Sequence, residues 1–296
     1  MIKRTVEISR EPAHVTVELD QLVLEHNGQQ LGRIPCEDLG LLLVDHQGAS
    51  YSHAALAALM RCDATVVVCG RDHLPAGILL PLADHNQVVW RIRDQVNISK
   101  PLRKQLWKQL VQAKIVAQAE NLADSSAPRA KLRALAAEVR SGDPANVEAR
   151  AAKVYWSAWL DGETFRRDPD GEPPNHFLNY GYAVLRASLA RALVAAGLLP
   201  ALGLHHHNRA NAFCLADDLI EPLRPMVDAA ARDLHQQGRR NLDRPAKAVM
   251  LDLLAARCAV AEQTGPLMVG LHRMVASLVR SYETGQAVLE IPVLCD

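Results

Sequence analysis

The feature that most constrains the fold is a change in hydrophobic period near residue 85. Before it, apolar residues come in short runs: TVEIS, HVTVEL, QLVLEH, LGRI, LGLLLVD, ATVVVCG and GILLPL. Several alternate apolar with polar positions, as a strand with one buried face requires. Turn signals separate them, including Arg10-Glu11-Pro12, Gly70-Arg71-Asp72 and Asn27-Gly28. Asn-Gly between two strand-like runs specifies a tight hairpin, because both residues accept positive φ. The exception is SHAALAALMR, where Ser52 is placed to cap a short Ala/Leu-rich helix ending at Arg61. After His85 apolar residues recur at three and four positions through Val88 to Ala123, Lys131 to Arg140, Val147 to Leu160 and on to the carboxyl end, the helical spacing. The expectation is an α+β chain, predominantly α: a small β-rich domain over residues 1–85, then a larger all-helical domain over residues 86–296.

Composition supports a folded chain and narrows its class. Of 296 residues, 49% are hydrophobic and 22% charged, which is enough apolar material for a sizeable core. Lys plus Arg equals Asp plus Glu at 33 each, so no global positive field advertises a polyanionic partner and any such site must be local. The six cysteines are scattered without a CxxC, which argues against a zinc ribbon or a disulfide scaffold. MIKRTVEISR turns polar at once, unlike a signal peptide, so a cytoplasmic location is expected. The most apolar long stretch, residues 181–204, carries Arg186 and Arg191, each costing about 2.5 to 3.5 kcal/mol at a bilayer centre, so no membrane span is expected. Two loops interrupt the helices: DGETFRRDPDGEPPN from Asp161 to Asn175 and the basic QQGRRNLDRP from Gln236 to Pro245.

The segment GLHHHNRANAFCLADDLIEPLRP, Gly203 to Pro225, concentrates metal-competent groups in apolar surroundings. On a helix beginning near Phe213, Asp217, Asp218 and Glu221 share a face, while Leu215, Leu219 and Leu223 commit the other to a core. Like charges so placed repel unless a cation or guanidinium lies between them. A divalent metal is one compensation, and a histidine from His205, His206 or His207 would complete a mixed nitrogen and oxygen site that suits Mn²⁺ and tolerates Mg²⁺. The plain alternative is a solvated acidic face. Glu148, in the first turn of an Ala-rich helix, has capping by the helix dipole as its plain role.

Four motifs stand in order along the chain: Glu148-Ala149-Arg150-Ala151-Ala152 with Tyr155, Leu178-Asn179-Tyr180-Gly181-Tyr182, Gly203-Leu204-His205-His206, and the run from Leu215 through Asp217, Asp218 and Glu221 to Pro225. Together they resemble a known family, the CRISPR-associated spacer-acquisition integrases, and among them the forms that accompany single-effector type II systems. The resemblance implies Glu148, His206 and Glu221 as ligands of Mg²⁺ or Mn²⁺, with Asp218 a further active-site acid and His205 the fallback for the histidine. Ala149 stands where the family often has Gly. Asp217 is left open beside Asp218. The implied reaction is transesterification, a DNA 3′-hydroxyl attacking a phosphodiester at a repeat boundary; no organic cofactor is implied. The implied partners are double-stranded DNA, as captured fragment and CRISPR repeat, a second copy of the chain, the smaller adaptation protein in a heterohexamer, and a type II effector. Residues 1–85 would serve dimerisation or partner contacts and residues 86–296 catalysis.

The DNA would lie on a basic block containing Arg91, Arg93, Lys100, Arg103, Lys104, Lys108 and Lys114 against the single acid Asp94, with Arg232, Arg239, Arg240, Arg244 and Lys247 around the Gly238 loop as a second group. Trp156 and Trp159 read as core, Tyr180 and Tyr182 as core or hinge, and Arg224 as a partner for an acid or a phosphate. Two rivals stand beside the integrase: a metal-dependent nuclease on branched or single-stranded DNA that uses water as nucleophile, and a noncatalytic DNA-binding scaffold. The run Val288 to Leu294 is strand-like and reads as core packing or a partner edge.

Overall fold

A computed structural model describes residues 3–82, 85–160, 162–163 and 165–295. The expected boundary at residue 85 adjoins positions 83 and 84, which lie outside the described residues, as do 1–2, 161, 164 and 296.

The alternating runs become β1 Arg4–Ile8, β2 His14–Glu18, β3 Gln21–His26, β4 Gln29–Pro35, β5 Leu39–Val44, β6 Ser50–Tyr51, β7 Thr65–Cys69 and β8 Pro75–Leu79, with α1 His53–Arg61 between β6 and β7. Asn27 and Gly28 both adopt positive φ and close the β3–β4 hairpin. Ser52 Oγ accepts from the Ala55 amide and caps α1. One sheet runs β4-β3-β2-β6 and the other β1-β5-β7-β8; in the latter β1, β5 and β7 are parallel and β8 joins antiparallel.

β5 is buried at every position, which is why LGLLLV reads as a continuous apolar run instead of an alternating one. Its period-2 geometry sends Leu42 and Val44 into a core shared with α1, while Leu41 and Leu43 enter the core of the helical part. The β1-β5-β7-β8 sheet is therefore a wall common to both cores.

The helices are α2 Val88–Val96, α3 Lys100–Glu120, α4 Ala127–Glu138, α5 Val147–Ala158, α6 Asn175–Ala195, α7 Cys214–Ile220, α8 Arg224–Gln236 after a 3₁₀ turn at Glu221–Leu223, α9 Arg244–Asp252 and α10 Leu267–Thr284. The expected helical stretch from Val88 is broken between α2 and α3, where Ser99 accepts from the Leu102 amide and restarts the helix. The second part is also not wholly helical. β9 Arg257–Val260, β10 Gln263–Pro266 and β11 Val293–Leu294 form a sheet in the order β10-β9-β11. Strands of four residues or fewer carry too little period to register beside long helical patterns. β11 places the end of the strand-like carboxyl run against β9 of the same chain, with Val293 and Leu294 exposed.

α6 is the central helix, with most of its residues buried. Gly181 is required there: a Cβ would collide with Val227 of α8 and come within 3.0 Å of Met250 Sδ of α9. That close approach brings Tyr182 over α8. Arg191, in the apolar stretch, is buried and donates to the Asp63 carbonyl and pairs with His272, so α6 is anchored to the β-rich part. Among the described residues no helix is long and apolar enough to cross a membrane.

Candidate active site

Glu148 stands in the first turn of α5, and the capping role expected of it belongs to Asp143. The Asp143 carboxylate accepts from the Val147 amide at 2.8 Å and from the Glu148 amide at 2.9 Å. Glu148 is thereby free to point elsewhere, and its Oε1 lies 2.6 Å from Lys114 Nζ on α3. The same ammonium lies 2.5 Å from Glu221 Oε2, so one lysine bridges two acids distant in sequence. Glu221 Oε1 also meets Arg224 Nε at 2.9 Å. Burial disfavours the Glu221 carboxylate, but Arg224, Lys114 and His206 outweigh it and hold the group at about 2. Burial likewise works against the Lys114 ammonium, and Glu221 and Glu148 reverse that, leaving its pKa raised.

Asp218 is fully buried, and both its oxygens are engaged. Oδ2 accepts from the Leu204 and His205 amides at 2.6 and 2.9 Å; Oδ1 accepts from the His206 amide at 3.2 Å and meets His206 Nδ1 at 2.5 Å. Gly203 permits this wrapping: a Cβ there would lie 2.9 Å from Asp218 Oδ2 and closer still to the His206 carbonyl oxygen. His205 stacks flat on the buried Trp107 of α3, 4.1 Å between centroids, and Trp107 meets His206 edge-on at 5.9 Å. His206 has its pKa raised by the Asp218 hydrogen bond first, against burial, with Asp218, Glu221 and Glu148 adding charge attraction. His207 is exposed.

The acids expected to share one face are thus compensated separately. Asp217 pairs with Arg186 Nε at 2.6 Å and accepts from Asn211 at 2.7 Å, so the arginine that disfavoured a membrane span serves this pair. Glu221 has passed into the 3₁₀ turn, which re-aims it toward α3. Behind Arg224, whose guanidinium sits 4.5 Å from the centre of the Tyr182 ring, the Tyr182 hydroxyl donates to Asp228. Burial pushes Asp228 up to about 7, against the Tyr182 and Tyr155 hydroxyls that bond it. Sequence reasoning leaves Asp143, Trp107 and Asp228 unassigned and places Lys114 in the basic block, whereas the structure sets it between Glu148 and Glu221. Only Asp143 carries a local signal, as an acid just before a helix start.

Among the described residues, no three His, Cys, Asp or Glu side chains stand close enough together to hold a metal ion as they are. The donor chemistry nevertheless fits one. Two carboxylates converge on a single cationic group, and His206 uses Nδ1 on Asp218, which leaves Nε2 as its remaining ligand nitrogen. A cavity of about 420 Å³ adjoins the histidines, lined by Arg103, His206, His207, Arg209 and Asn211. A cavity of about 890 Å³ lined by Trp159 and Arg232 contains none of these acids or histidines, and is roomier without being the place where the charge converges.

The basic residues divide. Arg93, Lys100 and Lys104 are exposed, and Arg93 packs 4.8 Å over the ring of the exposed Trp90. Arg103 and Lys108 are half-buried, with Arg103 Nε lacking a hydrogen-bond partner. Arg91 is paired with Glu283 and bonded to Gln87, and Lys114 belongs to the acid pair instead of the basic block. Arg239 pairs with Asp243 at 3.1 Å, and Arg240, exposed, donates to the His235 carbonyl.

In overall shape the chain matches a casposase bound to integration product, TM-score 0.80 over 97% of this chain and 93% of that one at 16% identity. It also matches a chain of a Cas6-RT-Cas1–Cas2 complex, TM-score 0.78 over 98% of this chain and 36% of that one, again at 16% identity. At such identities the likeness establishes the fold. The family follows from sequence: the model for CRISPR associated protein Cas1 matches residues 6–258, and the chain belongs to that family. It is 39% identical over 269 residues to the CRISPR-associated endonuclease Cas1 of Neisseria meningitidis serogroup C (strain 8013), covering 89% of this chain and 87% of that protein.

Proposed function

We propose that this Cas1 chain is a metal-dependent DNA integrase of CRISPR adaptation, joining the 3′-hydroxyl ends of captured fragments to a repeat by transesterification. The observation that carries the reading is the convergence of Glu148 and Glu221 on one cation position, beside a histidine oriented by Asp218. Glu148, Glu221 and His206 would hold Mg²⁺ or Mn²⁺. Such a cation supplies Lewis-acid polarisation of the phosphodiester and lowers the pKa of the attacking hydroxyl. Asp218 acts on His206: a carboxylate bonded to Nδ1 fixes the ring and directs Nε2 outward. Arg224 keeps Glu221 ionised, and Tyr182 with Asp228 holds Arg224 from behind. Arg93, Lys100, Lys104 and Arg103 offer cations to a phosphate backbone on the α2–α3 side, with Lys108 and Arg240 contributing and Arg91 and Arg239 supporting through their acid pairs.

The casposase neighbour is bound to an integration product, and the Cas1 of the Cas6-RT-Cas1–Cas2 complex is assembled with Cas2; both support DNA and the smaller adaptation protein as partners. A second copy of the chain and a type II effector complete the proposed set, with residues 1–85 as the partner-contacting domain and 86–296 as the catalytic one. The Neisseria relative is an endonuclease, which favours hydrolysis as the second reading, with water in place of the 3′-hydroxyl.

The test is strand transfer of a short 3′-hydroxyl duplex into a repeat-bearing supercoiled plasmid, with the companion protein and either Mn²⁺ or EDTA, comparing native protein with Glu221→Ala. Joined product that requires Mn²⁺ and disappears in the variant is expected. Cleaved plasmid without joined product selects the hydrolytic reading, and binding with neither joining nor cleavage returns the scaffold.

A further inference from the structure

Lys114 holds the position between Glu148 and Glu221 that a shared cation would take, at 2.6 and 2.5 Å, with its side chain only 12% exposed. Glu148 and Glu221 contribute two negative charges, and Lys114 and Arg224 answer them with two positive ones. The acid pair is therefore neutral within the chain itself. A divalent cation added to the same two carboxylates would leave the cluster with excess positive charge, and like charges at such separations are strongly unfavourable in a partly buried site.

The two cations are not equivalent in what they need. Arg224 is fixed from two sides, by Glu221 and by the Tyr182 ring 4.5 Å away, with Asp228 behind that ring. Lys114 is held by the two acids: its ammonium lies 2.6 Å from Glu148 Oε1 and 2.5 Å from Glu221 Oε2, with no aromatic ring or second carboxylate among the described residues behind it comparable to those behind Arg224. A lysine is a point charge on a flexible four-carbon stem, so it can leave the pair without a shift of α3. The neighbours of Lys114 on its own helix, Val111 and Ile115, are buried, and this fixes the helix while the ammonium end stays at the site.

We propose that Lys114 is a resident counter-ion that must yield the Glu148–Glu221 pair before a divalent metal can be bound there, so that the lysine sets the affinity for metal. The inference rests on the metal-site reading of Glu148 and Glu221 given above. Without a metal Lys114 stabilises the fold by neutralising two acids, and with one it competes. Two effects of opposite sign follow from one substitution, and this separates the inference from a purely structural salt bridge. Removing the lysine charge weakens the protein by itself and strengthens its hold on a metal.

The experiment measures Mn²⁺ binding to the full chain by the loss of the free-ion electron paramagnetic resonance signal, with thermal unfolding in parallel, for native protein, Lys114→Gln, Lys114→Met and Glu221→Ala. Lys114→Gln retains length and hydrogen-bonding capacity, so it serves where Lys114→Met fails to fold. The expected result is a Kd for Mn²⁺ at least tenfold lower in Lys114→Gln than in native protein, a lower Tm without metal, and a larger rise in Tm on adding Mn²⁺. If Glu221→Ala loses Mn²⁺ binding while Lys114→Gln binds no more tightly than native, the metal site stands and the counter-ion inference is overturned. If Glu221→Ala binds Mn²⁺ as native does, the metal-site reading itself fails and the inference falls with it.

Discussion

Asp218 holds His206 twice, once through the backbone amide at 3.2 Å and once through Nδ1 at 2.5 Å. The carboxylate is fully buried, so these bonds and those from the Leu204 and His205 amides satisfy a charge that no solvent reaches. Asp218→Ala would strand three amides and release the ring. A loss of about 1 to 3 kcal/mol in urea unfolding is expected, the cost of leaving buried amides without their acceptor. Asp218→Asn keeps an acceptor and should cost less, while the His206 pKa, read by NMR titration, falls toward the ordinary histidine value because its largest support is gone. An unchanged His206 titration in Asp218→Asn would show that other groups set its charge.

Asp143 is the cap that frees Glu148. Its carboxylate takes two amides at the start of α5, so Asp143→Ala should cost about 0.5 to 2 kcal/mol in urea unfolding. A second effect is expected on the reaction. With both amides unsatisfied, the Glu148 carboxylate in the first turn is drawn back toward the helix end, so Mn²⁺ affinity, read by loss of the free-ion signal, and strand transfer should fall together; unchanged Mn²⁺ affinity would show that Glu148 keeps its place without the cap.

How much of this was legible in the sequence depends on how local each cause is. The Asn27-Gly28 hairpin and the Ser52 cap could be read because a few adjacent residues decide them. Asp218 and Glu221 could be singled out as acids on an apolar helix, but not their separate fates. Those depend on a 3₁₀ turn that rotates Glu221 away and on a glycine that lets residues 204–206 wrap over Asp218. Lys114 looked like a member of a basic stripe since Lys100, Lys104 and Lys108 precede it on the same helix. Only the packing of α3 against α5 and the 3₁₀ turn shows that it faces acids. The short strands β9 and β10 were hidden for the same reason: their pairing is made in space, and four residues carry no readable period.

The pH dependence of stability should carry the signature of Asp228. Burial raises this carboxyl to about 7 from 3.8, so between those values the folded chain binds a proton that the unfolded chain does not. Its contribution to stability is present in full below pH about 4 and is lost as pH rises through about 7. Asp228→Asn mimics the protonated form and has no such dependence. The stability of Asp228→Asn relative to native should therefore rise across that window by roughly 1 kcal/mol per pH unit, measured by urea unfolding from pH 5 to pH 7. A constant difference across that range would mean that the native carboxyl titrates elsewhere.

Exposed and engaged basic residues should separate in salt dependence. Removing one side chain that neutralises a phosphate lowers the slope of log K against log salt by about 0.9 for duplex DNA. Lys100→Ala and Lys104→Ala, at exposed positions, should each reduce the slope and weaken binding without regard to sequence. Arg91→Ala removes a side chain committed to Glu283 and Gln87, so it should leave the slope nearly unchanged. A slope that falls equally for Arg91→Ala would place Arg91 on the DNA instead of in its ion pair.

The β-rich and helical parts are joined by a buried ion pair between Asp45, just beyond β5, and Lys247 on α9, at 3% and 5% side-chain exposure. His73 adds a contact to both Asp45 oxygens at 3.0 Å. Glu7 lies in the same neighbourhood, its carboxyl pushed up by burial against the Ser9 hydrogen bond and the Lys247 and Arg244 charges. Removing one partner leaves a buried charge without its main counter-ion, whereas replacing both with apolar groups removes the need for one. Lys247→Met alone should cost about 3 to 5 kcal/mol in urea unfolding. Lys247→Met combined with Asp45→Leu should cost clearly less than the sum of the two single changes, giving a coupling of about 2 kcal/mol in a double-mutant cycle. Additive costs would show that the pair lies at the junction of the two cores without holding it together.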